Sequence, residues 1–170
     1  MRVLVYGFGP YRRFRDNITA RIIRSLPKSS GLMTEIFPVS FQRRQFIAAL
    51  NRHRPDIILG LGQSSRKQID VETRARNRRR AGKKDDLRPI IRDRPNSLPT
   101  TLKIRAGRSV RSSNDAGDYV CNYSMYVLLD AIARNRRKVR FGFMHIPHDW
   151  DLDKAMQLVR RVLRQCSRPS

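Results

Sequence analysis

The stretch DIILGL at residues 56–61 is a short apolar run that ends at Gly62, a pattern that predicts a β-strand. An earlier run, RVLVY at residues 2–6, and a later one at residues 139–146 have the same character. Apolar residues at helical spacing predict four helices, at residues 17–26, 41–51, 119–134 and 152–166. Strands that alternate with helices predict an α/β fold, a three-layer α/β/α sandwich around a mostly parallel twisted sheet.

The remaining segments are less regular. Residues 33–39 predict a second strand, and the alternating residues 68–75 predict an exposed or edge strand. Residues 77–96 are highly charged and poor in apolar residues, which predicts a mobile loop. A short apolar stretch at residues 98–104 and a basic strand at residues 109–113 complete the pattern.

Length and cysteine content limit the class of protein. The chain has 170 residues, which predicts one domain over residues 1–170. No apolar run approaches the ~20 residues that a membrane-spanning helix needs. The first residues lack the pattern of a signal peptide, so a cytoplasmic location is expected. The two cysteines, Cys121 and Cys166, have no CxxC spacing, which favours neither a disulfide scaffold nor a zinc site.

The charge of the chain is strongly positive. Lys and Arg number 37 against 14 Asp and Glu, which gives a formal net charge of +23. Such a surface is expected to bind nucleic acid and other polyanions non-specifically through counterion release. The alternative interpretation is a compositional preference for surface arginine, without a nucleic-acid function.

Cys121 follows the turn signal NDAG at residues 114–117 and falls in the first turn of the helix predicted from residue 119. Unpaired N–H groups and the positive end of the helix dipole favour a thiolate at such a position. Cys121 is therefore either a nucleophile or a small residue packed in the core, as most free cysteines are. Cys166 lies on the apolar face of the closing helix and is interpreted as a packing residue.

His145 lies near the end of the apolar strand FGFMHIP, where it can face a cleft as a general base or serve as a hydrogen-bonded structural residue. The carboxyl ends of parallel strands gather at one edge of a sheet, so Gly7, Gly62 and His145 are expected together. Glu72 forms either a surface ion pair with an arginine or a contact that orients His145. GFGP at residues 7–10 lacks the GxGxxG spacing and does not indicate a dinucleotide site.

Four stretches of the chain carry a family resemblance. VLVYGFGPYRRFRDN at residues 3–17 is similar to an N-terminal strand with a GFxPF loop. DIILGLGQSSRKQIDVETRARN at residues 56–77 is similar to a glycine–glutamine loop and a strand with a catalytic glutamate. SSNDAGDYVCNYSMY at residues 112–126 and FGFMHIP at residues 141–147 are similar to the motifs S-N-x-A-G-x-[FY]-[VL]-C-N-x-x-M-Y and F-x-H-[VI]-P. Together they resemble the pyroglutamyl peptidase I family, the pyrrolidone carboxyl peptidases.

The resemblance implies a cysteine peptidase that removes an N-terminal pyroglutamyl residue from peptides and uses neither a metal nor a cofactor. Cys121 would be the nucleophile, His145 the general base and acid, and Glu72 the residue that holds the His145 tautomer. The lactam ring of the substrate is small, flat and neutral, so it needs apolar walls and a few polar contacts. By similarity, the substrate-binding residues are Phe8, Tyr11, Gln63, Tyr119, Val120 and Arg80.

The sequence departs from the family pattern at several places, which include the loop beyond the strand of Glu72 and a brief loop after residues 145–147. The PFG(G) segment of the family is replaced by a sequence with Arg12 and Arg13, which is expected to add positive charge at the mouth of the cleft. The chain is also shorter than the family pattern between residues 98–104 and Val110, which is expected to open the pocket or remove an oligomer contact. Two alternative functions stay open: a catalytically inactive member that binds RNA or another polyanion, and an enzyme for a different N-terminal cap. A homo-oligomer stays open as well.

Overall fold

The computed structural model describes residues 1–11, 14–82, 84–105, 107 and 110–166. Within these residues a six-stranded sheet is flanked by helices on both faces. The strands are β1 Val3–Phe8, β2 Leu32–Phe37, β3 Ile57–Ser64, β4 Ile69–Glu72, β5 Arg74–Arg76, β6 Ser97–Pro99, β7 Val110–Ser113 and β8 Arg140–Pro147. The helices are α1 Ile18–Ser25, α2 Arg43–His53, α3 Val120–Arg134 and α4 Leu152–Cys166.

The strand order of the main sheet is β2-β1-β3-β8-β4-β7. Strands β2, β1, β3 and β8 run parallel to one another. Strand β4 pairs antiparallel with β8 and parallel with β7, so the last two strands of the sheet are reversed. Strands β5 and β6 form a separate antiparallel pair. The prediction of a mostly parallel sheet is confirmed.

Two apolar layers lie on opposite faces of this sheet. On β1, the side chains of Leu4 and Tyr6 join the layer that contains α2 and α3. Val3 and Val5 alternate with them and join the layer that contains α1 and α4. Alternation of this kind places successive side chains of a strand on opposite faces, and the predicted three-layer α/β/α arrangement is confirmed.

The prediction of an exposed or edge strand at residues 68–75 is wrong. Strand β4 lies between β8 and β7, and the side chains of Asp70 and Glu72 are fully buried. Regular pairing then breaks at Thr73, and the chain continues as β5. Alternating carboxylates resemble a solvated strand face in the sequence, but here arginine and histidine side chains from other elements contact them.

The charged segment of residues 77–96 is irregular, as expected, but it is held at its base by Asn77. The side-chain oxygen of Asn77 accepts hydrogen bonds from the backbone N–H groups of Ile90 and Ile91 at 2.8 and 3.0 Å. Its amide group donates to the carbonyl oxygens of Ile91 and Arg94. A single side chain therefore closes the loop across 13 to 17 positions of sequence separation.

Some sequence expectations fall outside the described residues. Arg12 and Arg13, expected at the mouth of the cleft, are among the residues that the structure does not describe. The predicted basic strand appears as β7, and Ser109 at its start is also outside the described part. Among the helices that are described, none is long and apolar enough to cross a membrane.

We expect Asn77→Ala to loosen residues 78–96, because the variant leaves the backbone groups that Asn77 serves without their partner. The free energy of unfolding should fall by about 2 kcal/mol, and hydrogen exchange should accelerate in this segment. Asn51→Ala is the matched control, because Asn51 is exposed and contacts a single arginine, Arg137. The control should change stability by less than about 0.5 kcal/mol. Equal exchange in the two variants would contradict this role of Asn77.

Candidate active site

His145 and Glu72 meet across the antiparallel pair formed by β8 and β4. In this pairing Asp70 lies opposite His145 and Glu72 lies opposite Phe143. Glu72 and His145 are therefore diagonal neighbours on one face of the sheet, within reach of long side chains. His145 Nδ1 lies 2.7 Å from Glu72 Oε1, and both side chains are buried. An ionised carboxylate only accepts hydrogen bonds, so Nδ1 donates and the other ring nitrogen, Nε2, is left for Cys121.

Cys121 is the second residue of α3, which begins at Val120 with Tyr119 as its N-cap. Two hydrogen bonds connect the first turn of the helix to strand β1. Ser124 Oγ donates to the carbonyl oxygen of Cys121 at 2.8 Å. Because the Ser124 hydroxyl has one proton, the Tyr6 hydroxyl at 2.9 Å donates to it in turn. The buried Tyr6 side chain on β1 thus helps to set the position of the cysteine.

Gly62 on β3 allows the thiol and the imidazole to approach each other. A methyl group at Gly62 would lie 2.8 Å from Cys121 Sγ and 2.8 Å from His145 Cδ2. It would also lie 2.9 Å from His145 Nε2. The thiol and this ring nitrogen therefore both occupy the space that a side chain at position 62 would fill. Gly62 pairs in register with His145 across the parallel strands. The expectation that Gly62 and His145 meet at the carboxyl edge of the sheet is confirmed.

The protonation of His145 is set by opposing effects. Burial by itself lowers the pKa of His145. The charge and hydrogen bond of Cys121, followed by the hydrogen bond and charge of Glu72, outweigh burial and raise this pKa to about 9. The surroundings therefore stabilise the imidazolium form of His145. This is the arrangement that thiol-based nucleophilic catalysis needs.

A cavity of about 320 Å³ opens beside the thiol and the imidazole. Cys121 and His145 line it, and five of the six predicted substrate-binding residues line it as well: Phe8, Tyr11, Gln63, Tyr119 and Val120. Most of the lining is apolar in character, with a few polar groups. A cavity of this size and character suits a small, neutral ring.

Aromatic contacts shape the outer wall of the cavity. The ring of Tyr119 lies 5.2 Å, centroid to centroid, from the rings of Tyr11 and Phe41. The backbone of Tyr11 forms two hydrogen bonds with that of Phe14, which closes the loop after β1. The side-chain oxygen of Gln63 accepts from the backbone N–H of Ile18 at 3.0 Å, so this amide is fixed against α1.

Arg80, the sixth predicted substrate residue, pairs with Asp118. Its Nε is 2.6 Å from Asp118 Oδ2, and its backbone N–H donates to the Asp118 carbonyl oxygen. Asp118 lines the cavity, whereas Arg80 is outside the lining formed by the described residues. Arg80 therefore contacts a residue of the cavity wall, Asp118.

The profile of the family described as pyroglutamyl peptidase matches residues 1–151. The chain belongs to the pyroglutamyl peptidase family. The resemblance carried by the four sequence stretches is thereby confirmed, and the chain is placed among the cysteine omega-peptidases.

Individual relatives agree with this membership. A pyrrolidone-carboxylate peptidase from Thermococcus onnurineus is 31% identical over 91% of this chain and 88% of the relative. One from Brevibacillus brevis is 30% identical over 99% of this chain and 84% of the relative. The crystal structure of pyroglutamyl peptidase I from Bacillus amyloliquefaciens has a TM-score of 0.87 at 26% identity, covering 95% of this chain and 92% of that one. A mutant pyrrolidone carboxyl peptidase from Pyrococcus furiosus has a TM-score of 0.86 at 26% identity, covering 96% and 97%.

In this member of the pyroglutamyl peptidase family, Asn122 is a positioning residue that the sequence interpretation missed. It is fully buried and follows Cys121 directly. Its side-chain oxygen accepts from the Arg76 N–H, and its amide donates to the carbonyl oxygens of Arg76 and Arg78. These hydrogen bonds connect the first turn of α3 to β5 and to Arg78. Its position directly after the candidate nucleophile was the signal that could have identified it.

Within the described part of the chain, no group of three or more His, Cys, Asp or Glu side chains could hold a metal ion.

We expect Gly62→Ala to separate the thiol from the imidazole, because the added methyl group would need the space that both occupy. Alkylation of Cys121 by iodoacetamide at neutral pH should slow at least about tenfold, since small misplacements of reacting groups carry large rate costs. Gly9→Ala is the control, because a methyl group there has its nearest contact at 3.8 Å. An unchanged alkylation rate in a folded Gly62→Ala protein would contradict the close approach.

Proposed function

We propose that this chain is a cysteine peptidase that removes an N-terminal pyroglutamyl residue from peptides, with Cys121, His145 and Glu72 as its catalytic triad. The observation that carries the proposal is the line of contacts from Glu72 through His145 to Cys121 at the wall of a small aromatic cavity. Membership of the pyroglutamyl peptidase family supports the same substrate class. The substrate is a peptide whose N-terminus is blocked by the lactam.

In the reactive form of the site, the proton of Cys121 already lies on His145 Nε2, so that His145 is an imidazolium and Cys121 is the attacking thiolate. The thiolate then attacks the carbonyl carbon of the pyroglutamyl residue, and the electron pair of the C=O bond moves to oxygen. The first turn of α3 supplies backbone N–H groups that have no acceptor within the helix. They are suitably placed to stabilise this oxyanion.

The oxyanion collapses and the bond to the leaving amine breaks, while His145 gives its proton to that amine. This leaves a thioester between the pyroglutamyl group and Cys121. Water then attacks the thioester with His145 as general base, which releases pyroglutamate and restores the thiol. Throughout the cycle Glu72 accepts the hydrogen bond from Nδ1, holds the ring orientation and stabilises the imidazolium.

The cavity residues have distinct proposed roles in substrate binding. Phe8, Tyr11, Tyr119 and Val120 provide apolar walls for the lactam ring. Gln63 presents its amide at the side of the cavity nearest to α1. Arg80 acts indirectly by holding Asp118, which lines the cavity near the start of α3.

We expect Cys121→Ala to abolish release of a fluorescent amine from a pyroglutamyl amide under reducing conditions, with a loss of at least about 10³-fold in kcat/KM. Cys166→Ala is the control, because Cys166 is buried at the end of α4 and packs in the opposite apolar layer. Hydrolysis that survives in Cys121→Ala would overturn the proposal. A folded wild type that is inactive but rapidly alkylated at Cys121 would point to a different N-terminal cap.

We expect the alkaline limb of the pH profile of kcat/KM to lie near the pKa of His145, about 9, because activity needs the imidazolium. Glu72→Gln removes a group that raises this pKa, while burial still lowers it, so the limb should move to lower pH. Asp130→Asn is the control, because Asp130 is a buried carboxylate on α3 that pairs with Arg94. A limb that stays in place in Glu72→Gln would exclude Glu72 as the partner of His145.

A further inference from the structure

Arg66, in the turn between β3 and β4, contacts both the strand that contains Glu72 and the turn that precedes Cys121. Its Nη1 donates to Asp70 Oδ2 at 2.6 Å and lies 3.5 Å from Glu72 Oε1. Its Nη2 donates to the carbonyl oxygen of Asp115 at 2.9 Å. Asp115 belongs to the turn that leads into α3 and Cys121. One guanidinium group thus spans the strand of the triad acid and the turn before the nucleophile.

The Asp115 turn is well defined around this contact. The Asp115 carboxylate accepts from the Gly117 N–H at 3.0 Å and pairs with Arg78 Nη2 at 3.0 Å. Its backbone N–H donates to Ser113 Oγ at 3.2 Å. Gly117 has a φ of +82°, a conformation that glycine adopts readily. A contact at the Asp115 carbonyl is therefore transmitted through a short, fixed turn to the start of α3.

Asp70 provides the counter-charge for Arg66. Its carboxylate is fully buried and also accepts two hydrogen bonds from Arg111, at 2.7 and 3.1 Å. Burial raises the pKa of Asp70, but the hydrogen bonds and charges of Arg111 and Arg66 outweigh it and hold this pKa below its ordinary value. Asp70 is therefore anionic and takes the short hydrogen bond from Arg66. Glu72 Oε1 accepts its own short hydrogen bond from His145 Nδ1.

We propose that Arg66 is a positioning residue that couples Glu72 to the turn before Cys121, and that Asp70 and Arg111 limit how strongly Arg66 competes with His145 for Glu72. The inference rests on the proposed function, because it assigns a role in the same triad. Loss of Arg66 uncouples the turn from the strand. Loss of Asp70 leaves two guanidinium groups without their shared partner, next to Glu72.

The charges around His145 determine the direction of each effect. Among the described residues, the titratable and charged groups on the strands beside His145 or in the cavity that it lines are Cys121, Glu72, Asp70, Asp118, Arg66, Arg111, His148, Tyr11 and Tyr119. Asp118 is paired with Arg80. Removal of the Asp70 charge makes this environment more positive and frees Arg66 to bind Glu72. Both changes disfavour the imidazolium.

The first test measures the pH profile of kcat/KM for pyroglutamyl amide hydrolysis by full-length protein. In Asp70→Asn the alkaline limb should move down by roughly half a pH unit or more. In the double variant Asp70→Asn/Arg111→Gln, which loses one charge of each sign, it should return toward the wild-type position. An unchanged limb in Asp70→Asn would overturn the charge role of Asp70, and so would an equal shift in the double variant.

The second test compares Arg66→Gln with Arg94→Gln, a matched control. The side chains of Arg66 and Arg94 are 37% and 34% exposed, and each pairs with a fully buried carboxylate. Arg66→Gln should lower kcat roughly 10- to 100-fold, with KM changed less than about threefold. Arg94→Gln should lower the unfolding midpoint and leave kcat within about twofold of wild type. Equal kcat values in the two variants would overturn the role of Arg66.

Two further measurements separate this inference from the proposed function. Arg66→Lys keeps the charge but loses the planar fork that spans Asp70 and Asp115, so kcat should stay low while the alkaline limb stays in place. Full recovery of kcat in Arg66→Lys would contradict the spanning role. Alkylation of Cys121 by iodoacetamide needs no peptide substrate, and it should slow at least about tenfold in Arg66→Gln. Failure of the wild type on pyroglutamyl amides would reject the proposed function, while this alkylation result would still decide the role of Arg66.

Discussion

The antiparallel pairing of β4 with β8 is the constraint on which the site depends. Reversal of β4 puts Glu72 diagonally across from His145 on one face of the sheet, 2.7 Å apart. The same reversal makes the turn between β3 and β4 short, because β4 re-enters the sheet from the carboxyl edge of β3. Arg66 therefore lies at the edge where α3 begins. A fully parallel arrangement would need a crossover connection between these strands and would remove this turn from the site.

The central strand β3 has glycine at two alternate positions, Gly60 and Gly62, which leaves room on one face for side chains of other elements. A methyl group at Gly60 would meet Phe143 and Tyr6, and one at Gly62 would meet Cys121 and His145. These residues lie on one face of the strand because side chains alternate. Close packing at Gly60 sets the Tyr6 ring, whose hydroxyl reaches the first turn of α3 through Ser124. The contacts of Tyr6 therefore both pack the core and position Cys121.

The electrostatics of the site contrast with the charge of the whole chain. The protein has 14 acidic residues against 37 basic ones. Four of these carboxylates lie at or beside the cavity, and each contacts an arginine: Asp70, Glu72, Asp115 and Asp118. Negative charge and arginine thus lie side by side around Cys121, His145 and Glu72. The raised pKa of His145 in turn depends on its two direct neighbours, Cys121 and Glu72, which outweigh burial.

The sequence by itself determined the order of the four helices and of the strands of the main sheet, the bounds of α4 and the stretch that contains Cys121, because these depend on local periodicity and on turn residues. The small pair of β5 and β6 was not predicted. The direction of β4, the burial of Glu72 and the contacts of Arg66 and Asn122 were decided only by the tertiary structure. Periodicity reports which side of an element is apolar, but it does not report which strand lies beside it. The contacts of Asn122 with Arg76, of Arg66 with Asp115 and of Glu72 with His145 join residues that are 46, 49 and 73 positions apart, and only the folded chain brings them within hydrogen-bonding distance.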